Sequence, residues 1–153
     1  MDADRARALA EQLHAGEHEE DGSPVLRHIG RVASATPAEA RAVAWLHEAL
    51  ESTAVTEHEL LARGVTTEEL RALRLLARGE DSGSDSVYLG HVELIARAAG
   101  RSGRLARMVK IADLEDRRAH PRVRSNGWSP PYLRGLWRLR GAMEEARSSA
   151  DLR

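Results

Sequence analysis

The chain has 153 residues, no cysteine and no phenylalanine, and its 23 Lys and Arg against 24 Asp and Glu give a formal net charge of -1. That balance excludes a global positive field for nucleic acid or anionic lipid, and the missing cysteines exclude a disulfide framework, a thiolate metal site and a cysteine nucleophile. No apolar run approaches the ~18 residues of a membrane span, and "MDADRARALAEQLHAG" alternates charge with alanine instead of forming a signal-peptide apolar block. The expectation is a cytoplasmic protein of one domain over 1–153, which at this length buries roughly 70% of the surface of its extended chain.

Apolar residues recur at helical spacing through almost all of the chain, and period-two strand alternation is absent, so the expected fold is an all-α bundle of about seven to eight helices. A first helix is expected over about Ala3 to Ala15, stopped by Gly16 ahead of the charged, turn-rich "GEHEEDGSP". Helix resumes near "VLRHIGRVA". In "TPAEARAVAWLHEAL", Thr36 as N-cap, Pro37 at the first helical position and Glu39 three residues after the threonine predict a capping box and a helix from about Pro37 to Glu51. Two further boxes, Thr56 with Glu59 and Thr66 with Glu69, open short amphipathic helices ending at Gly64 and near Gly79. "GEDSGSDS" reads as a flexible loop. Helices follow at about Val87 to Ala99 and Ser102 to Arg118, parted at Gly100. "HPRVRSNGWSPPY" reads as an ordered loop with aromatic anchors, and a last helix runs from about Pro131 into the 140s before a fraying "ARSSADLR".

Three polar anomalies sit in apolar helical sequence. His47 lies on the stripe made by Val43, Ala44, Leu46 and Leu50, with Glu48 beside it. Alone, His47 reads as a core histidine bonded to a backbone carbonyl; with Glu48 it also reads as half of an imidazole–carboxylate ligand pair for Mn, Fe or Zn. His28 is set among Val25, Ile29 and Val32, and Asp113 among Met108, Val109, Ile111, Ala112 and Leu114. An acid in such surroundings needs a fixed cation, either a metal ion or a side chain such as Lys110 or a nearby arginine. His18, His58 and His120 read as solvated surface residues, and His91, near Tyr88, as a packed core residue.

In their order and spacing, "LHAGEHEEDGSPVLRHIGRVA", "AVAWLHEALEST" and "MVKIADLEDR" resemble the HD-domain metal-dependent phosphohydrolases, and within them the small alarmone hydrolases, guanosine bis(diphosphate) pyrophosphohydrolases of the stringent response. The resemblance spans about Arg7 to Arg118, with residues 119–147 as a C-terminal loop and helix. It implies an HD-type bundle around one divalent ion of the Mn type, with Fe, Zn or Co as alternatives, held by His28, His47, Glu48 and Asp113. It implies further that Glu51 orients or deprotonates the attacking water. The departures lie in the same motifs. Glu48 stands where the family has the aspartate of its His-Asp pair, and Ser52 where it has a second catalytic acid. Glu19 and Glu20 stand where it has an Arg-Lys pair that meets the substrate, and Arg117 where it has an asparagine. His14 matches a common histidine near the pocket mouth.

The implied reaction is phosphoester or pyrophosphate hydrolysis of a nucleotide or other small phosphorylated substrate. Lys110 together with Arg27, Arg117 or Arg118 would neutralise phosphate charge. The altered Ser52, Glu19 and Glu20 leave a second class open, a catalytically degenerate HD domain that binds a metal or ligand as a regulatory module. A third, oxygen chemistry with iron, asks for more histidine and carboxylate ligands than this chain offers. No nucleic-acid or membrane partner is expected, and Trp128, Tyr132 and Trp137 are candidate packing anchors or a homodimer surface.

Overall fold

The computed structural model describes residues 1–77, 84–120 and 130–151. The helices are α1 (Ala3–Leu13), α2 (Val25–Ala35), α3 (Arg41–Trp45), α4 (Ala49–Ser52), α5 (Glu57–Ala62), α6 (Thr67–Leu76), α7 (Asp85–Arg97), α8 (Gly100–Ala119) and α9 (Pro130–Asp151), with a 3₁₀ turn at Ala38–Ala40. Among the described residues the fold is all-α with no strand; one isolated bridge, His18 with Pro24, closes the loop between α1 and α2. The expected flexible loop falls largely, and the aromatic-anchored loop with Trp128 mostly, outside the described residues.

The architecture is organised around α8. Its 20 residues bury side chains on nearly every face, Leu105, Ala106, Met108, Val109, Ala112 and Leu114 among them. A helix buried on most of its faces belongs in the centre of a bundle, and α8 packs against α2, α3, α6, α7 and α9. Its start is fixed by shape: a Cβ on Gly103 would lie 1.9 Å from the Ala98 carbonyl oxygen, so only glycine lets α8 fold against the end of α7. Each fully buried leucine, such as Leu105 or Leu114, contributes about 1.5–3 kcal/mol by leaving water.

Local rules hold well along α5 and α6. Thr56 and Thr66 form the two expected capping boxes with Glu59 and Glu69. The end of α5 is a Schellman turn at Gly64 (φ 94°), where Gly64 N donates to Leu61 O at 3.0 Å and Val65 N to Leu60 O at 3.1 Å. Both flanking side chains, Leu60 and Val65, are buried, so the turn also closes a hydrophobic contact.

Between Thr36 and Thr53 the structure departs from expectation. Thr36 forms no capping box: its hydroxyl donates back to Val32 O at 2.7 Å, and Glu39 instead accepts from Arg104 at 2.7 Å. The single helix expected from Pro37 to Glu51 is broken into the 3₁₀ turn, α3 and α4. At the joint Leu46 N bonds Val43 O at 3.1 Å and Ala49 N bonds Leu46 O at 3.0 Å, the tighter i→i−3 pattern. The cause is local: His47 Nδ1 donates to Ala44 O at 2.7 Å, the carbonyl a continuous α-helix would reserve for the Glu48 amide. His47 and Glu48 therefore sit on a tight turn rather than within a helix.

Candidate metal centre

Three separate elements deliver the polar anomalies to one buried place. His28 comes from α2, His47 and Glu48 from the turn between α3 and α4, and Asp113 from α8; their exposures are 4%, 6%, 9% and 2%. Single nitrogens of His28 and His47 and a carboxylate oxygen of Asp113 all lie within 4.8 Å of one another, and the two rings meet edge to face with centroids 5.4 Å apart.

Both imidazoles are anchored through Nδ1. His47 Nδ1 meets Ala44 O, and His28 Nδ1 lies 2.8 Å from Asp116 Oδ2. A carbonyl or a carboxylate can only accept, so each Nδ1 carries the hydrogen and each neutral ring presents a lone pair at Nε2. Both Nε2 atoms are buried with no hydrogen-bond partner. His28 Nε2 is 3.3 Å from Asp113 Oδ1 and 3.7 Å from Glu48 Oε1, while His47 Nε2 is 3.6 Å from Glu48 Oε1. Two imidazole nitrogens and two carboxylate oxygens thus converge; Arg117 meets the oxygens, and a proton or a metal ion would meet the nitrogens.

The electrostatics follow from that crowding. Burial pushes His28 downward, but the carboxylates of Asp113 and Asp116 outweigh it and raise its pKa from 6.5 to about 9. Burial wins at His47, whose pKa is lowered. Burial opposes ionisation of Asp113 as well, yet Lys110 and Arg117 hold it well below the usual carboxylate range; Glu48 is lowered despite burial, through His47 and Arg117. Lys110 Nζ donates to Asp113 Oδ2 at 2.9 Å, and Arg117 spans both acids, with Nε 2.9 Å from Asp113 Oδ1 and a terminal nitrogen 2.9 Å from Glu48 Oε1. The salt-bridge partners expected for Asp113 are therefore present. They do not reach the two Nε2 atoms; in the metal-free chain the raised pKa of His28 puts a proton on its Nε2, toward Asp113 Oδ1, and that proton must leave before the nitrogen can ligate.

The other singled-out residues divide by position. Arg27 and Glu19 line a cleft of about 130 Å³ beside the cluster, together with His28, Arg31, Asp116 and Arg117. Ser52 is exposed and its hydroxyl donates to Glu48 Oε2 at 3.1 Å, so it orients the candidate ligand; Glu51 is exposed on α4. Glu20 is exposed and does not line the cleft. His14 is buried at the end of α1, with Nδ1 2.7 Å from Glu17 Oε2, and also lies off the cleft lining. Lys110 is buried against Asp113, likewise away from the cleft.

Sequence reasoning missed Asp116. It accepts from His28 and, through both oxygens, from Arg31 at 2.6 and 2.9 Å, which makes it the group that fixes the His28 ring. Its signal was present: Asp116 follows Asp113 by three residues, so both share one face of α8.

The donor set fits a divalent ion: two imidazoles anchored through Nδ1 whose Nε2 atoms have no hydrogen-bond partner, two carboxylates and a carboxylate behind one histidine are the makings of a borderline-metal site with its outer supports. No helix among the described residues is long and apolar enough to cross a membrane. No family model matches the chain, and a search of curated proteins finds no relative.

Proposed function

We propose that this protein is a divalent-metal-dependent phosphohydrolase of the HD type, acting on a nucleotide or other small phosphorylated molecule. The observation that carries the reading is the pair of buried, unpartnered Nε2 atoms of His28 and His47, each ring locked by its Nδ1 and facing the carboxylates of Asp113 and Glu48. His28, His47, Glu48 and Asp113 would hold the ion, with manganese the first candidate and iron, zinc or cobalt the others. Once bound, the ion supplies Lewis acidity toward a phosphoryl oxygen and acidifies water.

The chain's own residues supply the rest. Asp116 and Ala44 keep the imidazoles in the ligating tautomer, and Ser52 holds the outer oxygen of Glu48. Glu51, one turn beyond the ligand turn, would take the proton of the attacking water. Arg27 and Arg117 border the cleft from which a phosphate would approach. Glu19 on the same cleft repels a heavily anionic substrate, which favours a phosphate ester or short polyphosphate over a guanosine tetra- or pentaphosphate.

Protein equilibrated with Mn²⁺ should bind about one equivalent of the metal, and it should release phosphate from at least one nucleotide or phosphomonoester in the presence of manganese. Both properties should vanish in His47→Ala. Absence of metal and of turnover across such a panel would overturn the proposal. The second reading, a regulatory module that binds without turnover, draws on Ser52 in place of an acid; metal binding without phosphate release would select it.

A further inference from the structure

With both imidazoles neutral, three acids and three bases in direct contact at the candidate metal centre pair one to one. Glu48, Asp113 and Asp116 contribute three negative charges; Lys110, Arg117 and Arg31 meet them with three positive charges at hydrogen-bonding distance. A ligating imidazole must be neutral, so His28 and His47 add nothing in the metal-loaded form. A divalent cation entering alone would therefore leave about two uncompensated positive charges in a buried site, a costly state in a low-dielectric interior. A phosphate dianion entering alone meets the converse problem, because Arg31 and Arg117 on the cleft are already paired to Asp116, Glu48 and Asp113. Together the two charges cancel.

Arg117 is the residue through which they meet. It holds the two oxygens that face the histidine nitrogens, Asp113 Oδ1 and Glu48 Oε1, and it also lines the cleft. We propose that Arg117 is an internal counter-ion of the ligand carboxylates, so that a divalent cation binds tightly only together with a phosphate-type dianion that engages the Arg117 guanidinium. The inference rests on the metal-centre reading above. It makes metal and anion binding mutually reinforcing, as thermodynamic linkage requires of any such coupling.

The test is calorimetric titration of Mn²⁺ into the full chain, with and without methylphosphonate, at a pH where that probe is a dianion. In the wild type, methylphosphonate should tighten Mn²⁺ binding by about tenfold or more, within the usual span of coupling between sites. Arg117→Gln should bind Mn²⁺ alone about tenfold more tightly than wild type and lose most of the effect of the anion, whereas Arg117→Lys should retain it. Equal Mn²⁺ affinity with and without methylphosphonate in wild type would overturn the proposal, and this arm needs no variant to fold. Weaker Mn²⁺ binding in a folded Arg117→Gln would also overturn it, marking Arg117 as a scaffold for the carboxylates. In either case, Mn²⁺ binding that disappears in His47→Ala leaves the metal-centre reading standing. No Mn²⁺ binding under any condition removes that reading, and this inference with it.

Discussion

The α2–α8 cluster and the seam between α6 and α7 both bury a histidine beside charged residues, and they use it in opposite ways. At the seam, His91 Nε2 lies 2.6 Å from the Leu75 carbonyl, so the ring nitrogen is satisfied by backbone. The arginines there, Arg74 and Arg97, pair with Glu57 and Glu93 in the open. At the cluster, backbone and Asp116 satisfy only the Nδ1 atoms, and the Nε2 atoms of His28 and His47 converge on two acids. Burial of a histidine by itself carries little information. What matters is which ring nitrogen remains after the anchoring bond is made, and whether a second ring aims at the same point.

Removing one histidine from each region separates the two uses most clearly. His47→Ala should abolish Mn²⁺ binding, a loss of at least about 100-fold, while His91→Ala should leave it unchanged; the latter should instead lower stability by about 1–3 kcal/mol, because the Leu75 carbonyl loses its partner. Calorimetric titration and thermal unfolding measure the two effects. Retained metal binding in His47→Ala would erase the distinction.

Next in size is the cost of an orphaned charge. Asp113→Ala removes the buried acid that both Lys110 and Arg117 pair with and should destabilise the chain by about 3–5 kcal/mol, a fall of roughly 10 °C or more in Tm. Glu57→Ala removes only an exposed partner of Arg74 and should leave Tm where it is. Equal shifts would mean that the buried network is no more coupled than the surface one.

The pH dependence of the metal-free chain separates the regions again. His28 has its folded pKa raised to about 9 from 6.5, so its contribution is fully present below about pH 6.5 and is lost as pH rises through about 9. The whole shift corresponds to roughly 3 kcal/mol. Chemical denaturation from pH 6 to pH 10 should show that loss in wild type, and His28→Gln should flatten it. A profile equally steep in His28→Gln would assign the effect elsewhere.

The smallest effect expected is that of the support behind His28. Asp116→Asn keeps size and one acceptor but loses the charge that fixes the ring, and should weaken Mn²⁺ binding by about 10–100-fold without abolishing it. No change would mean that His28 is oriented by packing alone.

Much of this protein was legible before folding was considered. Helical periodicity identified an all-α chain, the Thr56 and Thr66 boxes appeared as read, and the Gly64 stop became a Schellman turn, because each depends on residues a few positions apart. His28, His47 and Asp113 stood out as polar residues in apolar surroundings, and the fold does bring them together. The break at Leu46–Glu48 was not legible, since a histidine ring bonding the carbonyl three residues back leaves the hydrophobic pattern of a continuous helix intact. The back-bonded Thr36 hydroxyl escaped for a similar reason: a threonine can cap forward or bond backward, and the sequence fits both.

Local sequence thus determined the helices and nominated the unusual residues, because propensity, capping and burial preference act over one or two turns. Tertiary structure alone decided that Asp116, 88 residues from His28, would fix its ring. It also decided that Arg117, 69 residues from Glu48, would bridge Glu48 and Asp113. Those pairings depend on how α2, the α3–α4 turn and α8 approach in space, and on the expense of leaving a buried charge or lone pair without a partner.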